Sequence, residues 1–314
     1  MAEDGRATIL CCGEALIDML PRQAVSGETA YAPFAGGAVF NTAVALGRLG
    51  ADVEFFSGIS TDMFGAMLER ELTHSNVGMR HIHRSAHPTT LAFVTLADGQ
   101  ARYSFHDEGS AGRILDIADL PQDLANIDAL LFGAISLIPE PCGSTYETLM
   151  RREHAQKVVM LDPNIRPDFI PDTASHRARI LRMAAMSDIV KVSNEDLDWI
   201  GEGAGETEMI ARLLDGGAKI VLVTRGSDGA DAYTASGRVH VPARTIQIVD
   251  TVGAGDTLNA GVLASLSEQG LLSKAAVATL SPGAIEAMLE FGIAAASVTV
   301  SRAGANPPWR SEIS

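Results

Sequence analysis

Residues 250–256 read Asp250-Thr251-Val252-Gly253-Ala254-Gly255-Asp256, and the segments on either side predict different secondary structures. The preceding segment, Arg244–Val249, predicts a β-strand. The following segment, Thr257–Gln269, predicts an α-helix, because apolar residues recur along one face (Leu258, Val262, Leu263 and Leu266) until Gly270 ends the pattern. The glycine-rich run is therefore expected at a strand-to-helix junction.

The predicted first turn of this helix, Gly253–Asp256, has the chemistry of an anion-binding site. The first backbone N–H groups of a helix have no intrahelical acceptor, and they lie at the positive end of the helix dipole. The small residues Gly253, Ala254 and Gly255 would let a phosphate group approach these N–H groups closely. Asp256 follows at once, where its carboxylate could accept a proton from an attacking hydroxyl. The run therefore predicts phosphoryl transfer with Asp256 as the catalytic base.

The rest of the chain alternates short apolar strands with helices. This alternation predicts an α/β fold with a doubly wound, mainly parallel sheet, in which ligands bind at the carboxyl ends of the strands. The predicted strands are Thr8–Gly13, Val53–Ile59, Ala129–Ile135, Lys157–Asp162, Asp188–Ser193 and Lys219–Thr224. The predicted helices are Phe40–Leu49, Phe64–Asn76, His176–Met186 and Glu206–Leu214.

Two segments in the first third of the chain interrupt this alternation. Thr89–Leu96 and Ala101–Phe105 flank Asp98-Gly99, a dipeptide typical of a type I′ hairpin turn. The segment Leu16–Phe34 is also non-helical and contains scattered apolar residues. We expect residues 16–34 and 89–105 to form a small β-sheet lid. The nucleotide- and substrate-binding core would then consist of residues 1–15, 35–88 and 106–314.

The composition limits the possible partners and compartments. The chain has 39 acidic and 24 basic residues and a formal net charge of −15, which would repel a nucleic-acid backbone. No apolar run approaches the roughly 20 residues that cross a bilayer, and no signal peptide is recognisable at the N-terminus. Cys11, Cys12 and Cys142 lack zinc-binding spacing and suit a reducing compartment. We therefore expect a cytoplasmic protein that binds neither nucleic acid nor membrane.

Three further motifs accompany residues 250–256. They are Gly36-Gly37-Ala38-Val39-Phe40-Asn41, Gly58-Ile59-Ser60-Thr61-Asp62-Met63-Phe64-Gly65 and Thr224-Arg225-Gly226-Ser227-Asp228-Gly229. In this order, the motifs resemble the signatures of the ribokinase-like (PfkB) carbohydrate kinases, and the similarity runs from about residue 9 to residue 305. The resemblance implies ATP-dependent phosphorylation of a sugar hydroxyl. A Walker-type ATPase is excluded, because the sequence lacks Gly-x-x-x-x-Gly-Lys-Ser/Thr, and a nicotinamide dehydrogenase is disfavoured, because no Gly-x-Gly-x-x-Gly follows the first strand.

The resemblance implies a sugar site that includes Asp18, Gly36, Gly37 and Asn41. The Asp18 carboxylate would accept hydrogen bonds from sugar hydroxyls, and the Asn41 amide can both donate and accept. The two glycines would bring the backbone against the sugar ring, where a Cβ would intrude.

The resemblance also implies a nucleotide site and two cation sites. Thr224, Gly226 and Gly229 would line the ATP side, together with a C-terminal segment, Ser297–Asn306, that ends at Asn306. Asp250 and Val252 would contribute oxygen ligands to K⁺, a hard cation that prefers such ligands. The family usually carries Asn-x-x-Glu near the water shell of Mg²⁺, whereas this sequence reads Ser193-Asn194-Glu195-Asp196. Either Glu195 or Asp196 could supply the carboxylate.

The remaining motifs favour the fructokinase-type branch of the family. Asp162-Pro163-Asn164-Ile165-Arg166 resembles a run of that branch, and Arg166 would present its planar guanidinium to sugar or phosphate oxygens. Phe105, at the end of the predicted lid hairpin, would cover the sugar ring together with the preceding Arg102 and Tyr103. Gly109–Arg113 resembles the branch's Gly-x-Ala-Asp-Arg run, although Gly112 replaces the Asp.

We therefore expect fructose as the substrate, and the sequence leaves several alternatives open. His106-Asp107 stands where such enzymes often carry Tyr-Arg, so a cation that acidic sugars would need is missing. This disfavours 2-keto-3-deoxygluconate, while ribose or a nucleoside stays possible. A non-catalytic sugar- or nucleotide-binding regulator is the alternative from another class, and the intact Asp256 argues against it.

A homodimer that pairs two lids is expected, since a small sheet leaves edges and one face open.

Overall fold

A computed structural model describes residues 7–97 and 100–313, with the side chains of residues 96–97 and 100–103 excepted. The predicted Asp98-Gly99 turn and the side chains of Arg102 and Tyr103 lie outside the described residues.

The strands are β1 (Thr8–Cys12), β2 (Leu16–Gln23), β3 (Thr29–Gly36), β4 (Asp52–Phe56), β5 (Gly58–Ser60), β6 (His83–Ser85), β7 (Leu91–Ala97), β8 (Gln100–His106), β9 (Ala129–Gly133), β10 (Val158–Asp162), β11 (Ile189–Ser193), β12 (Ile220–Thr224), β13 (Ala230–Thr234) and β14 (Gly237–Val241).

The α-helices connect and cover these strands. They are α1 (Ala38–Arg48), α2 (Met63–His74), α3 (Cys142–Glu153), α4 (Thr173–Ala184), α5 (Asn194–Gly201), α6 (Glu206–Asp215), α7 (Ala254–Glu268), α8 (Lys274–Val277) and α9 (Pro282–Val300). One apolar cluster joins the central sheet to α1, α7 and α9, and a second joins its other face to α3, α4, α5 and α6. Helices therefore cover both faces, as the alternation of strands and helices predicted.

The central sheet has the order β14-β13-β12-β11-β10-β9-β1-β4. Every pair from β4 to β12 is parallel, whereas β13 and β14 are antiparallel additions at one edge. Strands β1, β9 and β10 are buried at every position, which explains their almost uniformly apolar sequences. The doubly wound, mainly parallel α/β fold expected from the sequence is confirmed. The carboxyl ends of β1, β10, β11 and β12 lie along one edge of this sheet.

A second sheet of four strands has the order β3-β2-β7-β8. It is built from the two segments that interrupt the alternation. Antiparallel pairs β2–β3 and β7–β8 are joined by parallel pairing of β2 with β7. This sheet stands beside the carboxyl edge of the central sheet, because β2 follows β1 after a short loop and β3 leads directly into α1.

Two predicted strands differ from the structure, one in its continuity and one altogether. Val53–Ile59 is divided at Ser57: β4 joins the central sheet, and β5 instead pairs with β6 in a separate two-stranded sheet. Arg244–Val249 has no regular secondary structure, because the chain leaves β14 at Pro242 and its backbone pairs with none of the described strands. Its apolar side chains are consequently exposed, with Ile248 60% and Val249 58% accessible. The helix that carries the anion-binding turn therefore follows a loop rather than a strand.

Helix α9 is long and apolar enough, by length and composition alone, to cross a membrane. In this fold it packs against α7, and its residues Ile285, Met288, Leu289 and Ile293 belong to the buried core. The contact is close, since a Cβ built on Gly261 of α7 would lie 2.5 Å from the Cα of Gly292. The hydrophobicity of α9 is thus explained by its packing in the core.

Candidate active site

Two cavities meet at the carboxyl edge of the central sheet. The polar cavity, about 590 Å³, extends from Asp18 on β2 to Asp256 on α7. The apolar cavity, about 520 Å³, lies between the loop 243–251 and helix α9. Both cavities are lined by Thr224, Thr251 and Gly255, so they are in contact at the N-terminus of α7.

Most of the residues predicted for the site line one of these cavities. Around the polar cavity lie Asp18, Gly37, Asn41, Phe105, Arg166, Glu195, Asp196, Val252, Gly253, Gly255 and Asp256. Around the apolar cavity lie Thr224, Gly226, Gly229, Ala254 and again Gly255. The fold therefore brings the separate sequence motifs to one place.

Gly253 caps the N-terminus of α7, and its backbone is left-handed with φ of 78°. A Cβ at this position would also lie 2.8 Å from the Cβ of Ala305, so glycine is required for two reasons. Of the following residues, Ala254 lines the apolar cavity and Gly255 lines both. The N–H of Ala254 donates to the carbonyl oxygen of Thr251 at 3.3 Å, and the other first N–H groups of the turn lie where the two cavities meet, which is the setting of an anion hole.

Asp256 lies in the first turn of α7 and is 7% exposed. Its Oδ2 accepts a hydrogen bond of 2.9 Å from the Nδ2 of Asn41 on α1. Burial raises the pKa of Asp256 to about 7; the bond from Asn41 acts against this, and the nearby carboxylate of Asp162 adds to it. A carboxylate with a pKa near neutrality is a stronger proton acceptor than an ordinary Asp, yet it remains ionised in a large fraction of molecules at pH 7.

Asp18 faces the same polar cavity from the four-stranded sheet. Burial raises its pKa to about 6. A Cβ on Gly36 would collide with the Asp18 carboxylate, so this glycine leaves space for the acidic side chain rather than lining the cavity itself. Gly37 caps α1 with φ of 111°, and a Cβ there would lie 2.9 Å from the carbonyl oxygen of Glu14.

Phe105 and Arg166 also line the polar cavity. Phe105 stacks edge-on against Phe169, with the ring centroids 4.5 Å apart. The exposed Arg166 guanidinium donates to the backbone carbonyl of Ile165 at 3.0 Å. Phe105 is therefore half-buried in the cavity wall, whereas Arg166 is exposed there.

The residues predicted for the nucleotide side lie in two different places. Thr224, Gly226 and Gly229 line the apolar cavity, as do Ser297 and Val300 of α9. Asn306 lines neither cavity, because its Oδ1 accepts a 2.8 Å hydrogen bond from Arg48 at the C-terminal end of α1.

The two carboxylates considered for the Mg²⁺ shell differ in their surroundings. Asp196 is buried, and it accepts the backbone N–H of Ile165 at 2.8 Å on Oδ1 and that of Ser193 at 2.8 Å on Oδ2. Glu195 is exposed at the start of α5 and lines the polar cavity. Asp196 therefore closes the N-terminus of α5, whereas Glu195 is directed to the solvent side of the cavity.

Asp250 joins two segments that are distant in the sequence. Its Oδ1 accepts the N–H of Val252 at 3.1 Å, and its Oδ2 accepts the N–H of Gly304 at 2.8 Å. The backbone N–H groups of Val249 and Asp250 both reach the carbonyl of Val300. The loop before α7 is thereby attached to the segment that follows α9.

Residues 6–312 match the family described as pfkB family carbohydrate kinase. The chain belongs to this family. The ribokinase-like resemblance seen in the motifs is therefore confirmed over almost the whole chain.

Three similar proteins place this carbohydrate kinase near the fructokinases. A fructokinase of Rhizobium leguminosarum bv. trifolii is 56% identical over 277 residues, 88% of this chain and 85% of that protein. The crystal structure of fructokinase with bound ATP from Xylella fastidiosa has a TM-score of 0.91 at 31% identity, covering 98% of this chain and 96% of that chain. The fructokinase from Vibrio cholerae O395 in a fructose-, ADP- and calcium-bound form has a TM-score of 0.83 at 25% identity, covering 96% and 95%.

Sequence reasoning missed three polar residues of this kinase's site. Glu14, after β1, accepts the N–H of Ala38 at 2.7 Å, and burial raises its pKa to about 7. Lys191 on β11 and Asn259 on α7 both donate to Oδ2 of Asp162, at 3.1 and 2.7 Å. The sequence did indicate one of them. Lys191 is the charged residue in Ile189–Val192, a buried and otherwise apolar part of β11, and a charge at such a position is unusual.

Proposed function

We propose that this protein phosphorylates fructose, transferring the γ-phosphoryl group of ATP to a sugar hydroxyl. The observation that carries the proposal is the position of Asp256 in the polar cavity, in the first turn of α7 and next to Gly255, which lines both cavities. The fructokinase relatives support the same reaction: one holds ATP, and another holds fructose and ADP. Fructose would occupy the polar cavity and the adenine side of ATP the apolar cavity.

In this reaction Asp256 accepts the proton of the attacking hydroxyl. The sugar oxygen forms a bond to the γ-phosphorus as the bond from that phosphorus to the β–γ bridging oxygen breaks, and ADP leaves. The N–H groups at Gly253–Gly255 stabilise the charge on the equatorial phosphoryl oxygens. Asn41 holds the Asp256 carboxylate through the 2.9 Å hydrogen bond and thereby orients it.

The residues present also fit the two cations of the family. Glu195 would face the water shell of the Mg²⁺ that accompanies ATP, and we favour it over Asp196, whose two oxygens already accept backbone N–H groups. Asp250 and the backbone at Val252 would hold K⁺, since each Asp250 oxygen keeps a lone pair beyond the one that accepts an N–H. A bound cation supplies fixed positive charge beside the anion hole.

A neutral sugar suits the neighbouring charges better than an acidic one. A third cavity of about 320 Å³ adjoins the polar cavity and shares Glu14 and Phe105 with it. Its cation, Arg113, is paired with Asp107 at 3.0 Å. A sugar carboxylate would therefore meet a neutralised Arg113 and a cavity rich in acidic side chains, which disfavours 2-keto-3-deoxygluconate.

The substrate is tested by coupled ADP release with a panel of acceptors. Fructose should exceed ribose, 2-keto-3-deoxygluconate and adenosine in kcat/KM, because a buried sugar hydroxyl without its partner costs about 1–3 kcal/mol, or roughly 5- to 150-fold. If the kcat/KM of any other acceptor exceeded that of fructose by about tenfold or more, fructose would not be the substrate. Binding of sugar and ATP without turnover on any acceptor would favour the regulator instead.

A monovalent cation is expected to raise turnover through Asp250. Activity in K⁺ should exceed activity in tetramethylammonium several-fold at equal ionic strength, because cation binding would fix the loop before α7. Asp250→Asn should be less active and should no longer distinguish the two salts. Equal rates of the unaltered enzyme in both salts would contradict this cation site and would have no bearing on the kinase reaction.

We propose that the four-stranded sheet, residues 16–34 and 89–105, acts as a lid and pairs with a second copy in a cytoplasmic homodimer. The sheet exposes Val25, Tyr31 and Phe34, with Tyr31 38% and Phe34 42% accessible. A partner lid would cover this apolar surface. Sedimentation at micromolar concentration should give a species of twice the chain mass of 33.0 kDa. A species of the single-chain mass alone would contradict the pairing.

A further inference from the structure

Glu14 is a carboxylate in the wall of the polar cavity to which the reaction above gives no role. It follows β1, and its Oε1 accepts the backbone N–H of Ala38 at 2.7 Å and that of Val39 at 3.4 Å. Its Oε2 accepts the N–H of Ser136, in the turn after β9, at 3.4 Å. The side chain therefore joins three segments that lie far apart in the sequence.

Helix α1 depends on this carboxylate at its N-terminus. The residue that caps α1 is Gly37, which has no side chain to accept the first N–H groups of the helix. Ala38 and Val39 supply those N–H groups, so Glu14 acts as the capping side chain from 24 positions before Ala38. Its negative charge also faces the positive end of the helix dipole.

The loop that carries Glu14 packs tightly against the same turn of α1. A Cβ built on Gly13 would lie 2.5 Å from Cγ2 of Val39, and a Cβ built on Gly37 would lie 3.1 Å from Cγ of Glu14. Glycine at both positions lets the loop and the helix approach this closely. The N-terminus of α1 is therefore held by the loop 13–14 through both packing and hydrogen bonds.

The turn that Glu14 caps also carries Asn41. The N–H of Asn41 donates to the carbonyl oxygen of Gly37 at 2.8 Å, which closes the first turn of the helix. The Nδ2 of Asn41 then donates to Oδ2 of Asp256 at 2.9 Å. A displacement of the N-terminus of α1 would consequently move the amide that orients the catalytic base.

We propose that Glu14 is a positioning residue, whose carboxylate caps α1 and thereby holds Asn41 against Asp256. The assignment rests on the kinase reaction proposed above, in which Asp256 accepts the proton of the attacking hydroxyl. Glu14 keeps its contacts to the backbone throughout and exchanges no proton with the sugar. Because a misplacement of about 1 Å in a supporting element can lower the rate by about 10²-fold, the cap contributes to turnover.

A different role for Glu14 would be purely electrostatic. Burial is the main cause of the raised pKa of Asp256, and the charges of Asp162 and Glu14 add to it. Glutamine and methionine at position 14 separate the two roles, because both lack the charge but only glutamine keeps an oxygen for the N–H of Ala38. An electrostatic role predicts the same change in both variants. A capping role predicts a loss in Glu14→Met that Glu14→Gln largely avoids.

The variants are assayed by coupled ADP release, with fructose and ATP varied in turn, and thermal melting establishes that each is folded. Relative to the unaltered enzyme, kcat/KM for fructose should fall about 10- to 100-fold in Glu14→Met and less than about threefold in Glu14→Gln. The KM for ATP should stay nearly constant in both. The described lining of the apolar cavity comes from β12, α7, α9 and the loops beside them, not from α1.

Asn41→Ala tests whether Glu14 acts through Asn41. In that background Glu14→Met should cost less than about a further threefold, since the contact that the cap supports is already gone. If Glu14→Met does not fold, Glu14→Asp replaces it in both backgrounds. Aspartate keeps the charge, but its shorter side chain withdraws the oxygens from Ala38, so a capping role still predicts a loss of about fivefold or more and an electrostatic role predicts none.

Ser281→Ala is the matched control for the loss of a helix cap. Ser281 caps α9 by accepting the N–H of Ala284 at 3.2 Å, whereas the residues of α9 that line the apolar cavity begin at Ile293. This variant should melt at a slightly lower temperature and keep an unchanged kcat/KM. A merely structural role of Glu14 would make Glu14→Met behave in the same way.

Three results would overturn the assignment to Glu14: equal losses in Glu14→Gln and Glu14→Met, a loss below about threefold in Glu14→Met, or the full loss from Glu14→Met in the Asn41→Ala background. An unaltered enzyme that is inactive on every sugar would instead overturn the kinase reaction. The two failures are distinguishable, because the assignment to Glu14 is judged on an unaltered enzyme that is active.

Discussion

Asp256→Asn is expected to lower kcat by about 10²–10⁴-fold with the best sugar, while ATP still binds. The amide has nearly the same shape as the carboxylate and can keep its contact with Asn41, but it cannot accept the proton of the attacking hydroxyl. ADP release would measure turnover, and calorimetry would measure ATP affinity. Asp198→Asn, the same exchange at an exposed position on α5, is the matched control and should leave both unchanged. Near-normal turnover of Asp256→Asn would show that another group takes the proton.

The pH dependence of the unaltered enzyme should report the same residue. Because burial raises the pKa of Asp256 to about 7, kcat/KM should fall as the pH decreases through that value and the carboxylate becomes protonated. The residual activity of Asp256→Asn should lack this acidic limb.

The same substitution is expected to stabilise the folded protein at high pH. The folded-state pKa of Asp256 lies above its unfolded value, so its contribution to stability is fully present below the unfolded pKa and is lost as the pH rises through about 7. At pH 8 the unaltered protein buries an ionised carboxylate, whereas Asp256→Asn does not. The melting temperature of the variant should therefore exceed that of the unaltered protein at pH 8, and this gain should shrink at pH 5.

The features predicted correctly from the sequence are those determined by neighbouring residues. The N-terminal turn of α7 depends on small residues followed by an apolar helical face, and both lie within residues 253–268. The central strands β9 and β10 are apolar at nearly every position because they are buried on both faces, so their sequences locate them within one or two residues.

The features that were missed depend on contacts between distant residues. Arg244–Val249 has the composition of a strand, but whether such a segment joins a sheet depends on a neighbouring strand, and none of the described strands pairs with it. The cluster of Asp162, Lys191 and Asn259 joins residues up to 97 positions apart, which only the sheet order brings together. Asn306 stays a predicted nucleotide-side residue, and the direction of its side chain is set by Arg48, 258 positions earlier.

Asp18→Ala is expected to lower kcat/KM for fructose by about 10²–10³-fold, because a hydrogen bond to a charged group contributes about 1.5–3 kcal/mol and a carboxylate can accept more than one. The KM for ATP should stay nearly constant, since Asp18 lies on the four-stranded sheet, away from the apolar cavity. Gly36→Ala should reproduce part of the loss, because the added Cβ would displace the Asp18 carboxylate without removing it. Glu28→Ala, which removes an exposed carboxylate near the start of β3, is the matched control and should change neither constant. If Asp18→Ala keeps kcat/KM within about threefold of the unaltered enzyme, this carboxylate does not bind the sugar in the reacting complex.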